Sequence, residues 1–158
     1  MISNSGTLNV DQGFINCVAR TPDHSDGLQT FSEGGSGNVN ITNTCFRSYT
    51  DAEALSIYGA GFIGSDSIDW SDLFQGTISL QNVLIWGGSR GVKIDADVGT
   101  THVSFDHVYF VPSPDGWTFF KTQIIPTGGT LIIDKWNEVR DATIVNGVIV
   151  PNALIPSP

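Results

Sequence analysis

NVNITNTCF (residues 38–46), TISLQNVLI (77–85) and HVSFDHVYF (102–110) are near-copies of one line of sequence. In each, apolar and polar residues alternate, a polar or Asn-like residue follows at a fixed offset, and an apolar pair closes the segment. Alternation with period two is the mark of a strand with one buried face. A second short strand is predicted after each copy: ALSIY (54–58), GVKID (91–95) and GWTFF (116–120). TLNVDQGFI (7–15) with GLQTF (27–31) is a weaker copy, and TLIID (130–134) with ATIVN (142–146) is weaker still. A unit of short strands cannot bury its apolar face alone, so the repeat predicts a solenoid in which each unit stacks on the next.

The first apolar residues of the copies, Leu8, Val39, Ile78, Val103 and Leu131, are spaced by 31, 39, 25 and 28 residues. Unequal spacing around a constant core places loops of different length along one edge. The longest insert, 59–75, is rich in Gly and Asp but carries Phe62, Trp70 and Phe74, and reads as a structured excursion. The alternation also assigns faces. Leu28, Leu55, Val92 and Trp117 are expected to point inward, with Thr30, Ile57, Ile94 and Phe119 two residues on. Gln29, Ser56, Lys93 and Thr118 point outward, followed by Phe31, Tyr58, Asp95 and Phe120. A charged column of Asp26, Glu53, Arg90, Asp115 and Asp141 precedes the second strands, and Gln12, Asn43, Asn82, His107 and Lys135 align at the turn after the first. Stacked Asn side chains can bond to one another along such an axis. WNEVR (136–140) reads as a short turn.

The length of 158 residues fits one domain: a repeat body over 1–146 and a Pro-rich tail or cap over 147–158. Gly, Asn, Thr and Ser are abundant and helix formers sparse, which favours strands and turns. A net charge of −9 argues against nucleic acid and anionic membrane surfaces as partners. No apolar run is long enough to span a bilayer, and the N-terminus lacks the basic and apolar regions of a signal peptide. Cys17 and Cys45 fall at different offsets in their units and read as buried thiols, a disulfide remaining the alternative. Bare strand edges at both ends of the stack predict a homo-oligomer, most simply a trimer, or attachment to a larger chain.

DHSDGLQTF (23–31) followed by GNVNITNTCFRSY (37–49) resembles the H-x-D-G-x-Q and N-V-x-I-x-N-x-x-F pattern of the right-handed parallel β-helix, or pectin-lyase-like, superfamily. The pattern extends from about Thr7 to about Asn146. The resemblance implies an all-β, right-handed parallel β-helix of roughly five coils. The superfamily holds lyases, hydrolases, phage tailspikes and structural shafts, so two functions follow as expectations. One is a carbohydrate-contacting structural or binding module of a virion tail, a spike or a secreted extracellular assembly. The other is a polysaccharide lyase or glycoside hydrolase acting through an acidic strip.

Polysaccharide is the partner expected under either reading. Candidate catalytic residues are His24, Asp26, Glu53 and Arg90. A His beside a carboxylate can move a proton near neutral pH, and paired carboxylates on adjacent coils suit glycoside hydrolysis. A lyase would instead use Arg90 or Lys93 as base. Gln29, Phe31, Tyr58, Lys93 and Phe120 are candidate sugar contacts, the rings stacking on apolar sugar faces. Asp66, Asp69 and Asp72 form a loose D-x-x-D-x-x-D, a candidate Ca²⁺ site without the EF-hand spacing. The bland alternative for the charged column is a set of turn residues joined by ordinary salt bridges. His102 and His107 lack partners at zinc-site spacing and read as structural.

Overall fold

The computed structural model describes residues 5–19, 26–30, 35–50, 66–71, 73–88, 90–112 and 120–158. The described chain is all-β, with twelve strands: β1 (Ser5–Asp11), β2 (Phe14–Ala19), β3 (Leu28–Thr30), β4 (Ser36–Thr42), β5 (Cys45–Thr50), β6 (Asp66–Trp70), β7 (Gln75–Gly87), β8 (Arg90–Ala96), β9 (Thr100–Val111), β10 (Phe120–Pro126), β11 (Thr130–Val145) and β12 (Val148–Leu154). They form two sheets. The larger runs β1-β4-β7-β9-β11-β12, with β2 and β5 pairing beside it onto the second half of β7. Every pairing in it is parallel except the last, β11 with β12. The smaller sheet runs β10-β8-β6-β3 and is wholly parallel.

The expected apolar column is present. Leu8 pairs with Val39, Val39 with Ile78, and Ile78 with Val103. Val39, Ile78 and Val103 are fully buried. The last member differs. Val103 meets Ile133, not Leu131, and a β-bulge between Ile133 and Lys135 shifts the register once more. The turn column therefore ends on Glu138 where Lys135 was expected. Gln12, Asn43, Asn82, His107 and Glu138 all take left-handed backbone, with φ between 50° and 56°. Each marks where the first run of its unit bends into the second. Asn suits this region because its short amide can bond locally, whereas Gln12 and Glu138 bear the ordinary cost of a Cβ there.

The second strands differ more. Among the described residues the neighbour of β3 is β6, which the long insert carries: Leu28 pairs with Ile68, Gln29 with Asp69 and Thr30 with Trp70. β6 then pairs with β8, and β8 with β10, where Thr122 and Ile124 stand beside Val92 and Ile94. The long insert thus carries the strand that fills this place. Leu55, Ile57, Trp117 and Phe119 lie outside the described residues. Between the two sheets, Phe46, Ile68, Trp70, Phe74, Leu80, Ile85, Ile94, Phe105 and Phe110 are fully buried. Each such side chain contributes about 1.5–3 kcal/mol relative to exposure, so this shared core holds the sheets face to face. Trp70 packs edge-on against Phe74, their centroids 4.7 Å apart.

WNEVR, expected as a short turn, is counted within β11, which carries its bend at Glu138. Beyond it, Asn146 and Gly147 adopt positive φ, 51° and 77°, and turn the chain into β12. Asn-Gly is suited to this tight hairpin because both positions need left-handed backbone. Pro151 sits inside β12, which is tolerated because β12 is the outermost strand of its sheet. The chain then folds over the end of the core. Ile155 N–H donates to Val139 O at 2.8 Å, and Trp136 Nε1 donates to Ile155 O at 2.9 Å. The Trp136 ring stacks on Phe105 with centroids 5.1 Å apart. Cys17 and Cys45 are not bridged. Cys17 is opposite Ser48 and buried, while Cys45 is opposite the exposed Phe14, so the two thiols stand on different faces of adjacent strands.

Candidate functional site

The smaller sheet brings most of the expected charged residues together, through a local break in alternation. Ser67 faces the core, its hydroxyl 3.0 Å from that of Ser48. A Cβ on Gly91 would lie 2.9 Å from the Phe110 ring. The next residues, Ile68 and Val92, are also in the core. Two successive inward positions put residues three apart on the same outward face. Asp66 with Asp69, and Arg90 with Lys93, consequently line one strip.

The strip is a chain of charge-assisted bonds. The Asp26 carboxylate accepts the backbone N–H of Asp66 at 2.9 Å. One strand on, the Asp66 carboxylate accepts the backbone N–H of Arg90 at 3.2 Å and its Nε at 3.1 Å, and Nη2 of Arg90 lies 2.8 Å from the other oxygen. Asp66 is fully buried. Lys93 Nζ stands 3.3 Å from Asp69, 3.5 Å from Asp95 and 3.3 Å from the Ser71 hydroxyl, which itself donates to Asp69 at 2.7 Å. Burial works against the Lys93 charge, but Asp69 and Asp95 outweigh it and hold the ammonium pKa above its ordinary value. Gln123 joins the two halves, accepting from Arg90 at 3.5 Å and donating to Asp95 at 3.2 Å.

Each expected site residue can now be placed. Asp26, Arg90, Lys93 and Gln29 share this strip, Gln29 standing opposite Asp69. Phe120 opens β10 opposite Arg90. His24, Phe31, Glu53, Tyr58 and Asp72 lie outside the described residues. Asp66 and Asp69, read from sequence as loop cation ligands, belong to β6 and are engaged by Arg90 and Lys93. Among the described residues no group of three or more His, Cys, Asp or Glu side chains could hold a metal ion. Asp141, expected in the same column, instead pairs with Lys121 at 2.7 Å. Gln123 and Ser71 were not anticipated. Gln123 follows Lys93 by thirty positions and lies outside the repeat as read, so only the β8–β10 register reveals it.

A second polar array runs along the larger sheet. Asn82 donates to Asn43 at 2.8 Å, the amide stacking expected of the turn column, and Asn40 donates to Asn9 at 2.9 Å in a second, unexpected pair. Thr42 and Asn43 both donate to Asp11 and hold its carboxyl below the ordinary range. Lys135 and Asn137, each 2.7 Å away, and His107 at 2.9 Å converge on Asp106, lowering its pKa to about 2. His102 pairs with Asp134 at 3.0 Å. Both histidines thus serve carboxylates of their own surface. Beside this array an open depression of about 280 Å³ is lined by Asn43, Cys45, Asn82, Leu84, Tyr109 and Ile149, among others.

The chain matches no known protein family, no curated protein and no solved structure. No helix among the described residues is long and apolar enough to cross a membrane.

Proposed function

We propose that the two sheets are faces of one right-handed parallel β-helix, and that the chain is a carbohydrate-contacting structural module of a virion tail, a spike or another extracellular assembly. The observation that carries the reading is the register: Leu8, Val39, Ile78, Val103 and Ile133 stand in one column. Each of the first four units adds to the larger sheet, then to the smaller, and the next unit returns one strand further along; the last closes on the larger sheet with β12. Parallel crossovers of this kind are almost always right-handed.

The ionic strip favours binding over depolymerisation. Hydrolysis needs carboxylates that can give and take protons. Asp66 and Asp69 are instead held by cations, and Asp26 by a backbone N–H. Such a strip ties successive strands together and stiffens the stack. Half-buried Gln29, Lys93, Asp95 and Gln123 leave donors and acceptors at its outer margin, the groups that orient sugar hydroxyls.

The test is glycan-array binding followed by calorimetry on the best ligand. Gln29→Ala is expected to weaken binding by about 1 kcal/mol with an unchanged melting curve, and Gln123→Ala to weaken it similarly while lowering the melting temperature slightly, because Gln123 also bridges Arg90 and Asp95. No depolymerised product is expected from neutral or acidic glycans, with or without Ca²⁺. Release of product would favour the enzyme reading, and failure to bind any glycan would leave a structural shaft alone.

A further inference from the structure

β12 departs from the rest of the surface in three respects. All seven of its residues are exposed. Val148 and Leu154 are 62% and 59% accessible, and Val145, Ile149 and Val150 are exposed beside them. The strand ends its sheet, so one edge is bonded to β11 and the other carries no strand among the described residues. Finally, residues 145–158 contain no Asp, Glu, Lys, Arg or His, whereas the whole chain has a net charge of −9. The acidic excess therefore belongs entirely to the other surfaces.

We propose that β12 and its turn form the contact through which two copies of this chain associate about a two-fold axis. The charge distribution selects the occupant. Identical acidic chains repel one another over most of their surface, and the neutral apolar strand is where that repulsion is least. An anionic lipid surface is a poorer fit, because β12 and its turn carry no Lys or Arg to meet head groups. Exposed Val, Ile and Leu on a terminal strand are the kind of surface a partner buries.

The symmetry follows from the strand. A two-fold axis lays β12 antiparallel to its copy and uses the same edge in both chains, so the contact closes at two copies. Pro151 has no N–H to donate, which confines backbone pairing to short stretches and leaves apolar side chains as the main adhesive. The contact depends on β12 alone and is independent of what the ionic strip binds.

Sedimentation velocity across roughly 1–100 µM protein tests it. The wild-type chain is expected to move toward twice its mass of 16.9 kDa as concentration rises. Val148→Glu with Leu154→Glu places like charges across the axis and is expected to raise the dimer Kd at least about tenfold. Both side chains are exposed, so circular dichroism should match wild type, and so should melting at concentrations where both chains are monomeric. Val148→Lys with Leu154→Lys is expected to be monomeric alone and to pair with the Glu variant when the two are mixed. A wild-type chain that stays monomeric throughout overturns the proposal. So does a dimer that the Glu variant leaves intact, or a monomer that floats with phosphatidylcholine–phosphatidylserine vesicles.

Discussion

Asp66 and Arg90 show how much one pair can hold. The carboxylate is fully buried, the guanidinium is largely so, and the same carboxylate also takes a backbone N–H. Asp66→Asn keeps the shape but removes the charge that balances Arg90. We expect a loss of about 2–4 kcal/mol, read from urea unfolding. Asp106 makes a pH prediction. Its folded pKa of about 2 lies below the ordinary 3.8, chiefly through Lys135 and Asn137. A depressed carboxylate pKa stabilises the fold above the unfolded value, and that contribution fades as pH falls from about 4 toward 2. Asp106→Asn should therefore be less stable than wild type at pH 7 and show a flatter stability profile across that window. Equal slopes for the two proteins would remove Asp106 from the account. The charged column was legible as a set of residue types, because Asp26, Arg90 and Lys93 recur just before or within second strands. Their partners were not. Asp66 and Arg90 are 24 positions apart, and only strand pairing brings them together.

Among the elements, β7 is the clearest case of local chemistry serving register. Asn82 holds φ at 56° within the strand and donates to Asn43. Asn82→Val should cost about 2 kcal/mol, since a β-branched side chain resists left-handed backbone and the amide bond is lost. Asn82→Gly should cost less, because glycine accepts the bend. Thermal melts of the two variants compare backbone against amide. Gly76, at φ 125°, is constrained differently: a Cβ there would collide with the Gly37 carbonyl oxygen of β4. Gly76→Ala should lose about 3 kcal/mol or fail to fold. β6 was the element misplaced by sequence. SDSIDW has strand-like residues, but so does ALSIY, and the two compete for the same neighbour. β11 hid its bulge for a similar reason. Leu131 and Ile133 are both apolar on the same face, so pattern alone cannot say which one meets Val103.

At the scale of the whole molecule, each strand contacts mainly its sheet neighbours, so stability should grade across the larger sheet. β7 and β9 lie between bonded partners on both sides, whereas β1 and β12 are terminal. Amide hydrogen exchange should be slowest in β7 and β9 and fastest in β1 and β12. Uniform protection across all these strands would contradict such a gradient. The C-terminal cover supplies a second handle. Trp136 is held between Phe105 and the carbonyl of Ile155. Deleting 148–158 should redden and quench Trp136 fluorescence and lower the melting temperature, because the end of the core then meets water.

The sequence by itself determined the all-β class, the inward column of Leu8, Val39, Ile78 and Val103, and the turn column through Asn43, Asn82 and His107. Each rests on a pattern contained within one strand or one turn, where side-chain alternation and backbone preference act locally. Only the tertiary structure decided that β6 fills the place beside β3, that the last unit slips to Ile133 and Glu138, and that Asp66 and Asp69 neutralise Arg90 and Lys93. Those outcomes depend on which strand lies next to which. Segments of similar period compete for each neighbour, and shared core packing with buried charge pairing selects between them.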